Sequence, residues 1–442
     1  MKILHYALGF PPYRTGGLTK YCIDLMLHQV EKGDNVGLIW PGEINPIRKL
    51  TIKKRKSYKK ILNYEIINPL LVALDEGVLE TEPYMRNGEY NVYDEFFKEV
   101  KPDILHIHTL MGLHKELIIA AKNNGVKTIF TTHDYYGLCP KVTFFRKYQL
   151  CEDDNNCKNC VDCNKNGLSQ KKILLMQSPL YRVLKNSLVL KWMRKRHRQK
   201  FFNPENLIEE KADIVNNEQA QSYRNLRKFY VDILELIDIV HFNSSISEAI
   251  YKKYVNVKNG MVIPITHNDI KNNKMLKQYD DAKLSLTYLA PTKPFKGYGI
   301  LKDALDELWK DYPNKFELRI YDSSTNISPY MIVNNGYKYS ELKDIFEKTD
   351  VLLAPSVWYE TYGFTVLEAL SYGVPVIVSN NVGTKDLIDE KYGFICESNK
   401  EDLKRIIESI LLNKTYLKEI NKKIVEEFEL PKMSEVSKIL YN

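Results

Sequence analysis

The fold of this 442-residue chain is decided by residues 355–376, which read PSVWYETYGFTVLEALSYGVPV. An apolar run ends at Pro355, a polar loop follows, and a helical pattern then extends from Gly363 to a turn and a second apolar run. This order predicts a strand, a loop, a helix and a strand, which is the repeating unit of a parallel sheet. The start of the helix leaves unpaired amides at its positive end, where a phosphate group binds well.

Two carboxylates flank this predicted phosphate position. The unpaired amides belong to Gly363, Phe364 and Thr365, and Glu368 follows Thr365 by three residues, which places it on the same face one turn deeper. Glu360 precedes the helix on the other side. Carboxylates on both sides of an anion site suit a ligand with hydroxyl groups on both sides of a diphosphate, so the stretch predicts a nucleotide-sugar site.

The alternation of short apolar strands and amphipathic helices extends over most of the chain. A helix is predicted at 18–32, and another is expected to begin at Ser398, with Glu401 three residues on as in a capping box. Strands are predicted at residues 2–7, 36–40, 104–108, 128–132, 239–243, 285–289, 316–321, 351–354, 376–378 and 394–396.

This alternation predicts an α/β protein of two doubly wound, Rossmann-like domains that face each other across a cleft. The N-terminal domain is expected to span 1–266, with an insertion at about 139–230 that breaks the alternation. A polar linker is expected at 267–283, and the C-terminal, nucleotide-sugar-binding domain at 284–425. The final segment, 426–442, is expected to form a helix that packs back on the N-terminal domain.

The chain resembles the family 4 retaining glycosyltransferases, which have the GT-B fold. The spacing of two glutamates, followed by Glu-Ala-Leu-x-x-Gly-x-Pro-Val, is similar to that family's donor-site signature, and three further motifs follow the ends of predicted strands. The residues that carry the resemblance are Gly16-Gly17, His133-Asp134, Lys296-Gly297, Glu360 and Glu368.

The resemblance implies roles for the C-terminal residues. Glu360 should bind hydroxyl groups of the transferred sugar, and Glu368 those of the ribose. Lys296 and the helix amides should neutralise the departing diphosphate, whose charge grows in the transition state. One position departs from the family pattern, because Pro291 stands where the family usually has an arginine. Lys293 is a candidate for the missing positive charge.

The resemblance also implies roles for residues of the N-terminal domain. His133 should lie over the sugar from the opposite side of the cleft, and Gly16 and Gly17 should let the backbone approach the donor phosphates or the acceptor closely. Asp134 is expected to be structural. Retention without an enzyme nucleophile implies front-side attack by the acceptor hydroxyl, and the absence of an Asp-x-Asp motif near the donor site predicts catalysis without Mg²⁺.

The implied activity is transfer of a sugar from a nucleoside diphosphate, UDP or GDP, to a carbohydrate acceptor. Many relatives glycosylate a lipid-linked acceptor, which points to surface polysaccharide or glycan synthesis. Two alternatives stay open at this point. A metal-knuckle nucleic-acid-binding protein would explain the cysteines and the basic segments, and a phosphorylase of the same fold would use phosphate in place of an acceptor hydroxyl.

Five of the seven cysteines fall in one short stretch, which in a chain without a secretion signal suggests metal or redox chemistry. The spacing of Cys157, Cys160 and Cys163 is typical of a thiolate metal site. Some relatives carry a similar set, which favours structural zinc on Cys139, Cys151, Cys160 and Cys163, with Cys157 as the extra thiol. An iron–sulfur cluster is the rival interpretation.

The net charge of +8 is concentrated in two segments. Residues 48–60 carry eight basic residues and no acid, residues 191–200 carry six more, and the rest of the chain has a net charge of −6. This suggests nucleic acid or an anionic lipid surface as a partner, or else two solvated loops. A cytoplasmic location is expected, because neither a secretion signal nor an apolar run of membrane-spanning length is evident.

The second basic segment overlaps a predicted amphipathic helix at 181–197. Its apolar positions can form one stripe while its basic side chains point elsewhere, so the helix suits an anionic membrane surface. Packing of the same stripe into the protein core is the alternative. The stripe comprises Leu184, Leu188, Val189, Trp192 and Met193, and the basic residues are Lys185, Lys191, Arg194, Lys195 and Arg198.

Overall fold

The computed structural model describes residues 1–441, apart from 15, 74–75, 186, 189, 191, 194–195, 197–216, 280–282, 323–326 and 390. It contains two large sheets. The N-terminal sheet has the order β10-β9-β6-β5-β1-β2-β4-β3, and all its strand pairs are parallel except β3–β4. Its strands are β1 (Lys2–Tyr6), β2 (Asn35–Pro41), β3 (Thr51–Tyr58), β4 (Ile61–Ile67), β5 (Ile104–Ile107), β6 (Lys127–Thr131), β9 (Ile239–Phe242) and β10 (Gly260–Val262).

The C-terminal sheet is parallel throughout, with the order β13-β12-β11-β14-β15-β16. Its central strands β11, β14 and β15 are almost fully buried, as parallel strands covered by helices require, whereas β12, β13 and β16 include partly exposed residues. They are β11 (Leu284–Tyr288), β12 (Phe316–Ile320), β13 (Met331–Val333), β14 (Val351–Ala354), β15 (Val376–Ser379) and β16 (Gly393–Cys396). A short hairpin, β7 (Phe145–Arg146) and β8 (Gln149–Leu150), lies in the predicted insertion.

Helices connect the strands and cover the sheets. The α-helices that the structure describes in full among the first 266 residues are α1 (Gly17–Glu31), α2 (Tyr90–Val100), α3 (Lys115–Asn123), α4 (Lys158–Asn164), α5 (Gln170–Met176), α6 (Pro179–Leu184), α7 (Asn217–Leu234) and α8 (Ser245–Lys252). The later ones are α9 (Tyr298–Asp311), α10 (Leu342–Glu347), α11 (Phe364–Ser371), α12 (Lys400–Leu412), α13 (Thr415–Glu427) and α14 (Met433–Tyr441).

The α/β architecture with two parallel sheets is the predicted one, and each strand predicted from the sequence is present within a residue or so of its expected bounds. The predicted start of α12 is wrong by one residue. Asn399, not Ser398, caps the helix, because the Asn399 side chain accepts a hydrogen bond from the Asp402 amide at 2.8 Å. The Ser398 hydroxyl instead donates to the Ser356 carbonyl at 3.2 Å.

The first basic segment is not a loop. It forms β3, the antiparallel edge strand of the N-terminal sheet, in which the lysines protect an exposed edge from pairing with other chains. Arg55 in this strand pairs with the buried Glu65 of β4 at 2.6 Å. Part of the basic charge is therefore used within the fold. The second basic segment, 191–200, lies largely outside the described residues.

The two domains meet closely at the carboxyl ends of both sheets. One hydrophobic core cluster contains residues of α1, such as Leu25, together with residues of α11, such as Val366. The Thr361 hydroxyl donates to the His133 carbonyl at 3.0 Å, and the Ser244 hydroxyl donates to the Thr361 carbonyl at 2.7 Å. Residues before α11 are thus fixed directly against the N-terminal domain.

Candidate active site

A cavity of about 170 Å³ lies at the carboxyl end of the C-terminal sheet, where the loops after β11 and β14 meet the start of α11. This edge is where open parallel sheets commonly bind ligands. The cavity is lined by Gly17, Ala290, Lys296, Tyr337, Tyr339, Leu353, Ala354, Ser356, Glu360, Phe364, Thr365 and Glu368.

Glu360 and Lys296 form an ion pair at one side of the cavity. The Lys296 ammonium lies 2.7 Å from Glu360 Oε1, and the Ser356 hydroxyl donates to Oε2 at 2.7 Å. Burial pushes the Glu360 pKa up, but the Lys296 charge and these hydrogen bonds outweigh burial and hold the pKa below its usual value. Glu360 is therefore an ionised, fixed hydrogen-bond acceptor.

Glu368 lies on the buried face of α11 at the other side of the cavity. Its Oε1 lies 3.4 Å from His267 Nε2, and its Oε2 is buried with no hydrogen-bond partner in the part of the chain that the structure describes. Burial and the Glu368 carboxylate raise the pKa of the neighbouring Tyr339 phenol. An unpartnered buried carboxylate oxygen costs free energy, which a ligand hydroxyl would recover.

The N-terminus of α11 faces the cavity between these carboxylates. Gly363 precedes the helix with φ +104°, a conformation that favours glycine, and an added Cβ there would lie 2.8 Å from Val382. Phe364 and Thr365 both line the cavity. Gly17, at the start of α1, approaches from the other domain, because a Cβ on it would lie 3.3 Å from the Phe364 ring.

The other predicted residues lie around this centre. His133 is partly buried on the N-terminal side, where its ring packs against Tyr21 at 5.1 Å between centroids. Asp134 is held by the Tyr136 amide at 2.8 Å, and burial raises its pKa to about 6. Gly16 caps α1 with φ +113°. The Lys293 ammonium lies 5.4 Å from the Phe295 ring centroid, outside the group that lines the cavity.

Sequence reasoning missed several residues of this site. Ser356 stands only four residues before Glu360, and a hydroxyl at that spacing carries no recognisable signal. His267 was assigned to the linker, yet it is buried against the Phe364 ring at 4.9 Å and next to Glu368. Tyr337 and Tyr339 also line the cavity, and neither side chain was predicted from the sequence.

The clustered cysteines lie near one another as free thiols. Burial and the neighbouring Cys139 and Cys163 thiols raise the pKa of Cys151 to about 11, and Cys139 also acts on Cys160. The ligand atoms of Asp154, Cys157 and Cys160 lie within 4.8 Å of one another. The structure thus adds Cys157, the thiol that the prediction set aside, to the candidates for a metal ligand.

The predicted apolar stripe is exposed where it is described. Leu188 is 85% exposed, and Trp192 and Met193 are each more than half exposed, so the alternative of packing into the core is wrong for these residues. Val189, Lys191, Arg194, Lys195 and Arg198 lie outside the described residues. No helix in the described part of the chain combines the length and apolar character that crossing a bilayer requires.

The C-terminal domain, which carries most of this site, also matches a known protein family in sequence. Residues 281–427, about a third of the chain, match the family model described as "Glycosyl transferases group 1". The recognition of a GT-B glycosyltransferase fold from the glutamate motif is therefore confirmed.

The similar curated proteins include the UDP-Gal:alpha-D-GlcNAc-diphosphoundecaprenol alpha-1,3-galactosyltransferase of Escherichia coli, which is 34% identical over 127 residues, 27% of this chain and 32% of that protein. An uncharacterised 41.2 kDa protein from the cps region of Klebsiella pneumoniae is 30% identical over 130 residues, 28% of this chain and 36% of that protein. The matched segments span only about a third of each relative.

Solved structures share the fold over the whole chain. Sucrose-phosphate synthase from Thermosynechococcus elongatus has a TM-score of 0.58 at 14% identity, covering 99% of this chain and 96% of that one. Anabaena HepE in complex with UDP and glucose has a TM-score of 0.55 at 13% identity, covering 100% and 99%. At such identities the likeness establishes the GT-B architecture alone.

Proposed function

We propose that the chain is a retaining glycosyltransferase that transfers a sugar from a nucleoside-diphosphate sugar to a carbohydrate acceptor. The observation that carries this proposal is the cavity in which Lys296, Glu360 and the unpartnered Oε2 of Glu368 surround the N-terminus of α11. The helix amides lie between the two carboxylates and the Lys296 ammonium lies beside Glu360, which matches a diphosphate between two hydroxyl-bearing rings.

Each group has a distinct part in the proposed reaction. The Lys296 ammonium and the α11 amides stabilise the diphosphate as the glycosidic bond breaks and its negative charge grows. Glu360 is held through both of its oxygens, by Lys296 and Ser356, so it suits positioning of a sugar hydroxyl rather than nucleophilic attack. Glu368 Oε2 accepts a hydrogen bond from a ribose hydroxyl.

The acceptor hydroxyl then attacks the anomeric carbon from the side of the leaving phosphate. A new carbon–oxygen bond forms as the bond to the phosphate oxygen breaks, and that phosphate oxygen takes the hydroxyl proton. The configuration is retained and no covalent enzyme intermediate forms. Because Lys296 and the helix amides supply the positive charge, the proposal includes catalysis without a divalent cation.

The donor is proposed to be a UDP-sugar. The name of the Escherichia coli relative specifies UDP-Gal, and the HepE structures hold UDP, so uridine takes precedence over guanosine among the two bases left open by the sequence. Tyr337 and Tyr339 line the cavity on the ribose side and offer rings to a base.

Thermal unfolding of the purified chain with UDP, GDP, ADP and their sugars tests the proposal. A bound nucleotide raises the midpoint by mass action, and the shift should vanish in Glu368→Ala. Glu419→Ala, an exposed carboxylate on α13, is the matched control and should keep the shift. If no nucleotide gives a shift while DNA binds in a strongly salt-dependent way, the nucleic-acid alternative is favoured.

We also propose that the acceptor is lipid-linked and that the exposed apolar stripe rests on an anionic membrane surface. The name of the Escherichia coli relative specifies a diphosphoundecaprenol acceptor. Leu188, Trp192 and Met193 are exposed within a strongly basic stretch of sequence, and apolar contact combined with lipid charge gives reversible membrane binding.

Sedimentation with vesicles tests membrane binding. The chain should bind phosphatidylglycerol vesicles and not phosphatidylcholine vesicles, and Trp192→Ser should weaken this binding by about tenfold. Tyr416→Ser removes a similarly exposed aromatic residue from α13 and should leave binding unchanged. Equal binding of the wild type and Trp192→Ser would contradict the proposal.

The clustered thiols are proposed to hold a structural zinc ion. Burial raises the pKa of these thiols, so their protons leave readily only when a metal ion takes their place. Four thiolates bound to one zinc ion would fix the loops around α4. Elemental analysis should find one zinc per chain, lost in Cys160→Ser and kept in Cys396→Ser, a buried thiol elsewhere. Iron with visible absorption would favour the cluster alternative, and metal-free, stable protein would contradict both.

A further inference from the structure

Buried histidines line the carboxyl ends of adjacent strands in the N-terminal sheet. His5 on β1 is in register with His106 on β5, and Thr131 on β6 is in register with His241 on β9. His108 follows β5 by one residue. All five side chains are fully buried, although each carries groups that must form hydrogen bonds.

These histidines are neutral. Burial lowers the pKa of His5 and of His241 to about 4, and that of His133 to about 3. Burial also places the pKa values of His106 and His108 well below the usual range. A neutral imidazole has one nitrogen that donates and one that accepts, so each hydrogen bond in the cluster determines the next.

The direction of one run of these hydrogen bonds is set by a backbone carbonyl. His241 Nε2 lies 2.8 Å from the Ile263 oxygen, which can only accept, so His241 Nδ1 accepts from the Thr131 hydroxyl at 2.9 Å. Thr131 then accepts from His106 Nε2 at 2.7 Å. His106 Nδ1 in turn accepts from the hydroxyl of Tyr441, on the last helix, at 2.5 Å.

Gln29 sets the direction of a second run of hydrogen bonds. Its amide oxygen faces His5 and can only accept, while its amide nitrogen is buried without a hydrogen-bond partner among the described residues. His5 Nε2 donates to this carbonyl at 2.7 Å, and His5 Nδ1 accepts from His108 Nε2 at 3.0 Å. His108 Nδ1 then accepts from His133 Nε2 at 3.3 Å.

We propose that this second run, from the Gln29 amide oxygen through His5 and His108, fixes His133 as the tautomer protonated on Nε2. His133 Nδ1 is then a bare acceptor for a hydroxyl group of the bound sugar. Gln29, His5 and His108 are accordingly positioning residues. The inference rests on the proposed function only for the identity of that ligand, because the tautomer is a property of the free protein.

A metal site is the competing explanation for the group, since ligand atoms of His5, His106 and His108 lie within 4.8 Å of one another. Both ring nitrogens of each of these three residues already lie within hydrogen-bond distance of another side chain. A metal ion would have to break several of these contacts, so the hydrogen-bond chain explains the arrangement better.

Nitrogen NMR of the full chain with ¹⁵N-labelled histidine tests the tautomer directly. The His133 signals, assigned with His133→Asn, should show a protonated Nε2 and an unprotonated Nδ1 at pH 7.5 without any ligand. Gln29→Met removes the carbonyl that orders the chain and should give a mixture of tautomers. The matched control is Gln177→Met, which removes a side-chain carbonyl that accepts a hydrogen bond from the Val72 amide. This variant should leave the His133 tautomer unchanged. A proton on Nδ1 in the wild type would overturn the proposal even if Gln29→Met fails to fold.

A double-mutant comparison of sugar transfer separates positioning from general stability. Gln29→Met should lower kcat by about threefold to tenfold, the value of one well-placed hydrogen bond, and should have no further effect in a His133→Asn background. Equal loss in both backgrounds would mean that Gln29 acts elsewhere and would overturn the positioning role. If no sugar transfer is found with any donor, the proposed function is wrong. The proposed tautomer of His133 is then still tested by the nitrogen NMR spectrum of the free protein.

Discussion

The two faces of the cleft use opposite electrostatics. The C-terminal face carries fixed charges, with the Lys296 ammonium 2.7 Å from Glu360 and the Glu368 carboxylate buried nearby. The N-terminal face opposite carries neutral imidazoles whose pKa values burial has lowered, His133 among them. Charge is therefore concentrated where a diphosphate is proposed to bind, and neutral polar groups where a sugar is.

The difference follows from how each face satisfies its buried polar groups. A charge in a protein interior needs an opposite charge or several hydrogen bonds, and Glu360 has both. Neutral imidazoles need only a donor and an acceptor each, which a chain of neighbours supplies. The N-terminal face can thus discriminate among hydroxyl groups without attracting a second anion.

A fall in pH should destabilise the N-terminal domain, which holds the buried histidines, more than the C-terminal domain. The buried histidines His5, His114 and His241 each have a folded pKa of about 4 against 6.5 in the unfolded chain, so the unfolded state binds more protons as the pH falls below 6.5. Stability should be lost over this window by about 1.4 kcal/mol per pH unit for each such histidine. Hydrogen exchange should show N-terminal peptides losing protection first between pH 6.5 and 5. Equal loss of protection in both domains would contradict the proposed difference between the two faces.

Removal of the positive charge should abolish most of the activity. Lys296→Ala should lower kcat by about 10²- to 10³-fold, because the growing charge on the diphosphate loses its cation. It should also leave Glu360 buried without its ion-pair partner. Lys343→Ala, an exposed lysine on α10, is the matched control and should keep full activity in the same sugar-transfer assay. Comparable activity of the two variants would contradict the assignment of charge to this face.

A smaller effect is expected from the hydroxyl that supports Glu360. Ser356→Ala removes the hydrogen bond to Oε2 while leaving the Lys296 pair, so kcat/KM should fall by about tenfold, because a hydrogen bond to a charged group is worth about 1.5 kcal/mol or more. Ser371→Ala, which loses a buried hydrogen bond within α11, should lower stability without a selective loss of activity. A larger loss for Ser371→Ala in kcat/KM would mean that Ser356 has no special role.

Much of the C-terminal face could be predicted from the sequence because its residues are close along the chain. Glu360, the α11 amides and Glu368 fall within nine residues, and helix geometry alone places them around one position. Lys296 required a resemblance to known proteins, since 64 residues separate it from Glu360.

The N-terminal face could not be predicted in the same way. His106 and Tyr441 are 335 residues apart, and no periodicity connects them. Their contact depends on α14 returning to lie against the first domain. The hairpin of β3 and β4 was also missed, because a lysine-rich edge strand lacks the apolar alternation that marks a buried one.

Calorimetric titration of UDP into three forms of the chain tests whether the cleft has a charged face that binds the nucleotide and a neutral face that binds the sugar. The wild type and His133→Asn should bind UDP with similar affinity, because the neutral face contacts the sugar, whereas Lys296→Ala should bind UDP at least tenfold more weakly. Loss of UDP affinity in His133→Asn together with full affinity in Lys296→Ala would contradict the division of the cleft into a charged nucleotide face and a neutral sugar face.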